Sequence, residues 1–200
     1  MRLRDRRTER QLQAAIDRGR SLLAEGEDDH ALDFIEDAAR RFPQSAEIQL
    51  QLASVLLAFT TDKVAAQAAK AAELAPDDPV IQVRAGHMLL NEGDLGAARA
   101  CAARAEELAD GEFILLADVE GLNGHIVARE GNYALAEEKL RSALQREPEW
   151  SSHWLNFARF LWARGRDEEA LTVIAESLDQ VREGDRNLLE RLRGEITGEA

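Results

Sequence analysis

The side chains in this 200-residue sequence that could move protons or hold a metal are four histidines, one cysteine and 38 carboxylates. A metal site needs three or four converging ligands, and His87 and His125 have no third histidine or cysteine in register with them. A single cysteine rules out both an internal disulfide and a cysteine-based cluster. Without a neighbouring base, Cys101 reads as a small hydrophobe. His30 and His153 read as surface residues. The carboxylates come in runs, Glu106–Glu107, Glu137–Glu138 and Asp167–Glu168–Glu169, which read as a solvated helix face. No phosphate-binding glycine loop, HExxH, CxxC or GxSxG is present. The expectation is a non-catalytic chain with no cofactor and no metal, whose chemistry is that of a binding surface.

Composition narrows what it could bind. The net charge is −13, and the first ten residues hold five arginines against Asp5 and Glu9, leaving about −16 on the rest. Such a surface disfavours phosphate neutralisation and hence nucleic acid, and it is poorly matched to an anionic membrane. No apolar region follows the basic start as in a signal peptide, and no stretch approaches the ~18 apolar residues of a membrane span. A cytoplasmic protein is expected, with residues 1–11 as a basic arm entering the first helix. The apolar share is 45%, much of it alanine, and only 5% of residues are aromatic. Alanine brings helix propensity and close helix approach more than burial energy.

The elements that must position a binding surface appear on self-comparison. Four segments repeat one pattern: Gly19–Leu22–Gly26–Ala31, Gly86–Leu89–Gly93–Ala98, Gly124–Val127–Gly131–Ala136 and Ala158–Leu161–Gly165–Ala170. A fifth, Ala53–Leu56 followed by Val64, Ala68 and Ala71, lacks the second glycine and has Thr60 and Thr61 at its turn. The first small residue lets two helices of a hairpin approach closely, against the alanine of the second helix. The second glycine can adopt a left-handed conformation and end the first helix. Asp28, Asp94, Asn132 and Asp167 can cap the second helix, and Pro43, Pro76 and Pro148 stop it. Asp78 with Pro79 forms an N-cap followed by an N1 proline.

The pattern resembles the tetratricopeptide repeat over about residues 12–182, more closely than HEAT-like or Sel1-like arrays. The last copy carries the fullest match, with Trp154, Asn156, Phe157, Ala158, Leu161, Trp162, Gly165, Ala170 and Leu171. It departs by the missing glycine of copy two, by Asp110 where proline is usual, and by about four extra residues near Gly111 to Phe113. The resemblance implies an all-α fold: a right-handed α-solenoid of about five helical hairpins over 12–45, 46–78, 79–112, 117–150 and 151–182. Residues 185–200 form a C-terminal capping helix, with Asp185 as its cap and an apolar stripe of Leu188, Leu189, Leu192 and Ile196.

The resemblance also implies a protein-interaction module, an adaptor or scaffold, binding a protein or peptide in a concave groove lined by the first helix of each hairpin (helix A). Alternatives are a self-associating scaffold, through the aromatic-rich end with Trp150, Trp154, Phe160 and Trp162, and an accessory subunit of an enzyme or secretion complex. The position after the small residue reads Arg20, Ser54, His87, His125 and Arg159. Apolar rows flank it: Ile16, Leu50, Val83, Gly121 and Leu155 on one side, Leu23, Leu57, Leu90, Ala128 and Trp162 on the other. Adding Arg84 and Arg129 against Asp17, Glu47 and Asp118 leaves about +1 in this lining, so acid is largely kept out of it. The expected ligand is a segment with acidic and apolar residues. If His87 and His125 meet its negative charge, binding tightens as pH falls toward ~6. The family's clamp for acidic C-terminal peptides is not reproduced: its places carry Ile16, Arg20, Gln51, Val80 and Arg84, and only the last matches in kind.

Overall fold

Left-handed glycines after the first helix of a hairpin are the local device on which the whole architecture turns. Gly26, Gly93, Gly131 and Gly165 have φ of 70, 87, 85 and 70°. The amide following each glycine donates back to the apolar repeat residue four before it: Glu27 to Leu22, Asp94 to Leu89, Asn132 to Val127 and Arg166 to Leu161, at 2.9–3.3 Å. The recurrent apolar residue therefore both packs in the hairpin core and supplies the carbonyl that closes the helix.

The structure, a computed structural model, describes residues 2–59, 62–109, 113–183 and 186–199, with side chains from Arg7 onward except at 113 and 114. Thr60, Thr61, Asp110, Gly111 and Asp185 fall outside the described residues. The described chain is helical, with α1 (Arg2–Glu25), α2 (Asp28–Arg41), α3 (Ala46–Leu56), α4 (Lys63–Leu74), α5 (Pro79–Asn91) and α6 (Leu95–Leu108) in one compact unit. A second unit holds α7 (Phe113–Arg129), α8 (Tyr133–Arg146), α9 (Ser151–Trp162), α10 (Asp167–Ser177) and α11 (Arg186–Thr197). No strand occurs among the described residues.

Each odd-numbered helix up to α9 is a helix A and its successor a helix B, packed as antiparallel pairs. Close approach is clearest at Gly124: a Cβ there would lie 2.9 Å from Leu140 Cγ and 3.4 Å from the Ala136 carbonyl of α8. In copy two, where the glycine is missing, a 3₁₀ turn at Leu57–Phe59 follows α3 instead. The extra residues before copy four accompany a longer first helix, α7, of 17 residues against 13 in α5.

Capping divides the four expected polar residues. Asp94 accepts from the Ala97 amide and Asn132 from the Leu135 amide. Asp28 and Asp167 instead lie inside the first turns of α2 and α10, where they favour the helix dipole without a cap bond. Asp78 accepts from both Val80 and Ile81 amides, with Pro79 at N1. Helices α2, α4 and α8 end two residues before Pro43, Pro76 and Pro148.

Adjacent hairpins are tied through one recurring position, four before the small residue. Gln49 Nε2 donates to the Pro43 carbonyl, Gln82 Nε2 to those of Ala72 and Ala75, and Trp154 Nε1 to that of Pro148. Each satisfies carbonyls left open at the end of the preceding helix B. In copy five Ser177, standing where an apolar residue recurs, is fully buried and donates its hydroxyl to the Ile174 carbonyl at 2.6 Å.

Helix α11 packs on α9 and α10 and closes the second unit. Leu189 and Leu192 are buried in its core and Ile196 lies against it, whereas Leu188 is 50% exposed and does not belong to the stripe. No described helix is long and apolar enough to cross a membrane.

Candidate functional site

In the first unit, the A-helix face is held by one carboxylate. Glu47 on α3 accepts from Arg84 Nη1 on α5 at 2.6 Å and from Arg20 Nη2 on α1 at 3.2 Å. Gln51, one turn on, is buried and donates to the Ile16 carbonyl of α1 at 2.9 Å. Burial pushes the Glu47 carboxyl up, but Arg84 and Arg20 together outweigh it and hold it below the ordinary range. Two cations of the expected basic row are therefore engaged inside the molecule. Counting charges in the lining does not reveal this: Glu47 is not a stray acid but the bridge between three helices.

The other expected residues of this unit divide by burial. Ser54 is half-buried and its hydroxyl donates to the Leu50 carbonyl at 3.0 Å, so it is turned onto its own helix. Leu23 and His87 are half-buried. Leu57 is 44% exposed on the 3₁₀ turn, while Leu90, expected as an anchor, is buried at 3% and packs in the core instead. Ile16, Leu50 and Val83 are likewise core residues. The helical stripe on which they lie turns toward neighbouring helices rather than outward.

In the second unit the corresponding positions of α9 carry no such bridge. Residue 152, which matches Glu47 in the repeat register, is Ser152, and Asn156 stands where Arg84 does. On α7 the Glu47 offset holds Asp118, which lies 3.8 Å from His153 rather than between arginines. Arg129 on α7 and Arg159 on α9 are exposed, and among the described residues neither pairs with a carboxylate. Trp162 is 36% exposed one turn beyond Arg159, and Leu155 is half-buried one turn before it. Spacings of four and three place Leu155, Arg159 and Trp162 on one stripe. His125 is hydrogen-bonded to Asn156, which joins α7 to α9. Burial lowers its pKa, the Asn156 bond opposes this, and the Arg129 charge adds to the lowering. In the free chain His125 is thus disposed to the neutral form.

The remaining titratable groups lie away from this surface. His153, read from the sequence as a surface residue, is 4% exposed, with Nε2 3.5 Å from Glu147 and 3.8 Å from Asp118. It sits three residues into α9 and packs back against the end of α8 and the flank of α7. His30 is exposed and paired with Glu27, whose hydrogen bond and charge raise its pKa. Cys101 is buried, and burial followed by the Asp94 charge pushes its thiol up, away from the thiolate that would react. Glu137 is not simply solvated: Arg166 and Arg141 pair with it at 2.6 and 2.7 Å, and the Arg166 bond leads in holding its carboxyl below the usual range. Among the described residues no three His, Cys, Asp or Glu side chains gather as metal ligands would.

Sequence reasoning missed the Glu47 bridge and the His125–Asn156 bond. The Glu47 bridge had a signal in the repeat register, since a carboxylate on α3 stands among arginines on α1 and α5.

Comparison with known proteins bears out the repeat. Residues 12–55 and 128–195 each match the sequence profile of a tetratricopeptide repeat, together more than half of the chain. No curated protein matches the sequence. Solved structures share the fold: a thermophilic TPR protein of Thermus thermophilus (22% identity, 93% of this chain and 98% of that one, TM-score 0.73) and PilF of Pseudomonas aeruginosa (18%, 95% and 86%, 0.66). PilW, a type IV pilus biogenesis factor, is similar at 22% identity over 94% of this chain and 87% of that one, with a TM-score of 0.66. Repeated left-handed glycines, hairpins of helices and two matched segments together make this chain a member of the tetratricopeptide-repeat family of protein-interaction modules.

Proposed function

We propose that the chain is a non-catalytic adaptor whose second unit offers the A-helix face of α7 and α9 to a partner segment carrying apolar and acidic side chains. The observation that carries this reading is the pairing of two exposed, unbridged guanidinium groups, Arg129 and Arg159, with exposed Trp162. Guanidinium groups bind carboxylates through two parallel hydrogen bonds, and a tryptophan one turn from Arg159 is the kind of side chain on which binding energy concentrates. His125, held neutral, offers a hydrogen bond without charge. In the first unit, Arg20 and Arg84 serve mainly to join helices, and Leu57, Phe59 and Val80 are exposed apolar residues.

The test is affinity purification from the source organism with wild-type and reversed chains. Arg129→Glu with Arg159→Glu should lose the partner that wild type retains. Reversal at exposed Glu106 and Glu138 on the B helices should keep it. The opposite pattern places the partner on the B-helix side and refutes the reading. Trp150, 53% exposed at the α8–α9 turn, supports a second reading in which copies of the chain associate. Light scattering separates the two, since only self-association changes mass with concentration.

A further inference from the structure

Away from the A-helix faces, each unit has a groove on its B-helix side. In the first unit a cavity of about 290 Å³ lies between α2, α3 and α4, floored by Leu52 and Leu56 with Ala39 beside them. In the second, one of about 380 Å³ lies between α8, α9 and α10, floored by Phe157 and Leu161 with Leu144 beside them. The repeat register makes these the same site: Leu52 matches Phe157, Leu56 matches Leu161 and Ala39 matches Leu144. The rims, however, are inverted in charge. Glu36 is replaced by Arg141, Lys63 by Glu169 and Lys70 by Glu176.

The first groove is the more unusual of the two, because the chain as a whole is strongly acidic. Only three lysines occur in the sequence and two of them, Lys63 and Lys70, line this one groove. Arg40 also lines it but is paired along α2 with Glu36, the one acid in the lining, at 3.7 Å and with Asp37 at 3.9 Å. Helix α4 carries no carboxylate before Glu73. Gln67 stands in the wall with a buried side-chain carbonyl that has no hydrogen-bond partner among the described residues. A side-chain rotation would offer that acceptor to the backbone N–H of a bound segment, which removes the penalty of leaving it unsatisfied. At about 290 Å³ the groove is at the small end of binding pockets. Its short apolar floor suits one or two side chains of a polypeptide.

We propose that the groove between α2, α3 and α4 is a second docking site, for a partner segment that sets an apolar side chain between carboxylates. Leu52 and Leu56 receive the apolar side chain, Lys63 and Lys70 receive the carboxylates, and Gln67 takes a backbone N–H. The second unit's groove keeps the apolar floor and rejects the same ligand by charge, so specificity arises from repulsion as well as attraction.

The experiment uses a short fluorescein-labelled peptide of alternating aspartate and leucine pairs, with photo-reactive leucine, cross-linked to the full chain and mapped by mass spectrometry. Cross-links within 36–70 are expected. They should fall at least fivefold in Lys63→Glu with Lys70→Glu, and persist in Arg129→Glu with Arg159→Glu. A version with lysine in place of aspartate should not label this segment. Circular dichroism checks that each variant is folded, and Lys70→Gln provides a milder change with a smaller loss. Cross-links confined to α7 and α9, labelling of 36–70 that ignores the lysine reversal, or equal labelling by the lysine version overturns the proposal.

Discussion

The two units build their A-helix faces from the same repeat and use them differently. In the first, Glu47 draws Arg20 and Arg84 together, so cation and carboxylate join three consecutive A helices. In the second, serine and asparagine occupy the matching places on α9, and Arg129 and Arg159 stay exposed, the latter one turn from Trp162. Charge on a solenoid face can therefore serve either adhesion between repeats or recognition of a partner. What decides is whether acid and cation meet across helices: Glu47 meets two arginines, whereas Asp118 at the same offset of α7 lies beside His153. Net charge along a face says little; charge paired across helices says much.

The largest effect that sharpens this contrast concerns how the second unit is closed. Ending the chain after residue 183 removes Leu189 and Leu192, both almost fully buried. At roughly 1.5–3 kcal/mol for each buried leucine, the loss is about 3–6 kcal/mol. Melting should fall, amides of α9 and α10 should exchange faster, and larger species should appear on sizing as the apolar face is exposed. A truncated chain that stays monomeric with unchanged melting removes α11 from the account.

Next comes the bridge itself. Glu47→Ala leaves Arg20 and Arg84 without their carboxylate. The Arg84 pair, with both partners at least half shielded, should account for most of a loss of about 1 kcal/mol, because the more exposed Arg20 is screened. The converse change, Ser152→Glu, places an acid at the same offset in the second unit. In that register the acid faces His125 rather than an arginine, so it should not reproduce the bridge, and melting and partner binding should change little. If Glu47→Ala alters binding and not stability, the two faces have been assigned the wrong way round.

The smallest effects are those of pH, and they separate the units by window. Glu47 has a folded pKa below its unfolded value near 4.3. Its contribution is present above that pH and lost as pH falls through the folded value, loosening the first unit in acid. His125 is also lowered, from an unfolded value near 6.5. The unfolded chain takes up that proton first, so its contribution is full above about 6.5 and declines as pH drops below it. Hydrogen exchange by segment should show α7 and α9 weakening between pH 7 and 5, ahead of α1, α3 and α5. Equal weakening of both sets over that range contradicts the assignment.

Much of the fold could be read from residue spacing, because each repeated residue has a local duty. The glycines at 26, 93, 131 and 165 are left-handed, the prolines follow helix ends, and Asp78 caps α5. The family and the all-helical architecture follow from those marks. The surface was less legible. Periodicity places Leu90 and Trp162 at the same offset, yet one is buried and the other exposed. Exposure depends on what the next hairpin places over that offset. His153 misled for the same reason: its environment is made by Asp118 and Glu147, which precede it by 35 and 6 residues in sequence. Leu188, one place from the buried Leu189, shows that a helical stripe is only as wide as its contact.

The most direct test of the central claim, that the second unit's A-helix face receives an acidic, apolar segment, is site-resolved labelling by the aspartate–leucine probe at residues 125–162. Cross-links to α7 and α9 should fall at least tenfold in Arg129→Glu with Arg159→Glu and be unaffected by Glu106→Lys with Glu138→Lys. Labelling of 125–162 that survives the arginine reversal, or none there in the wild-type chain, contradicts it.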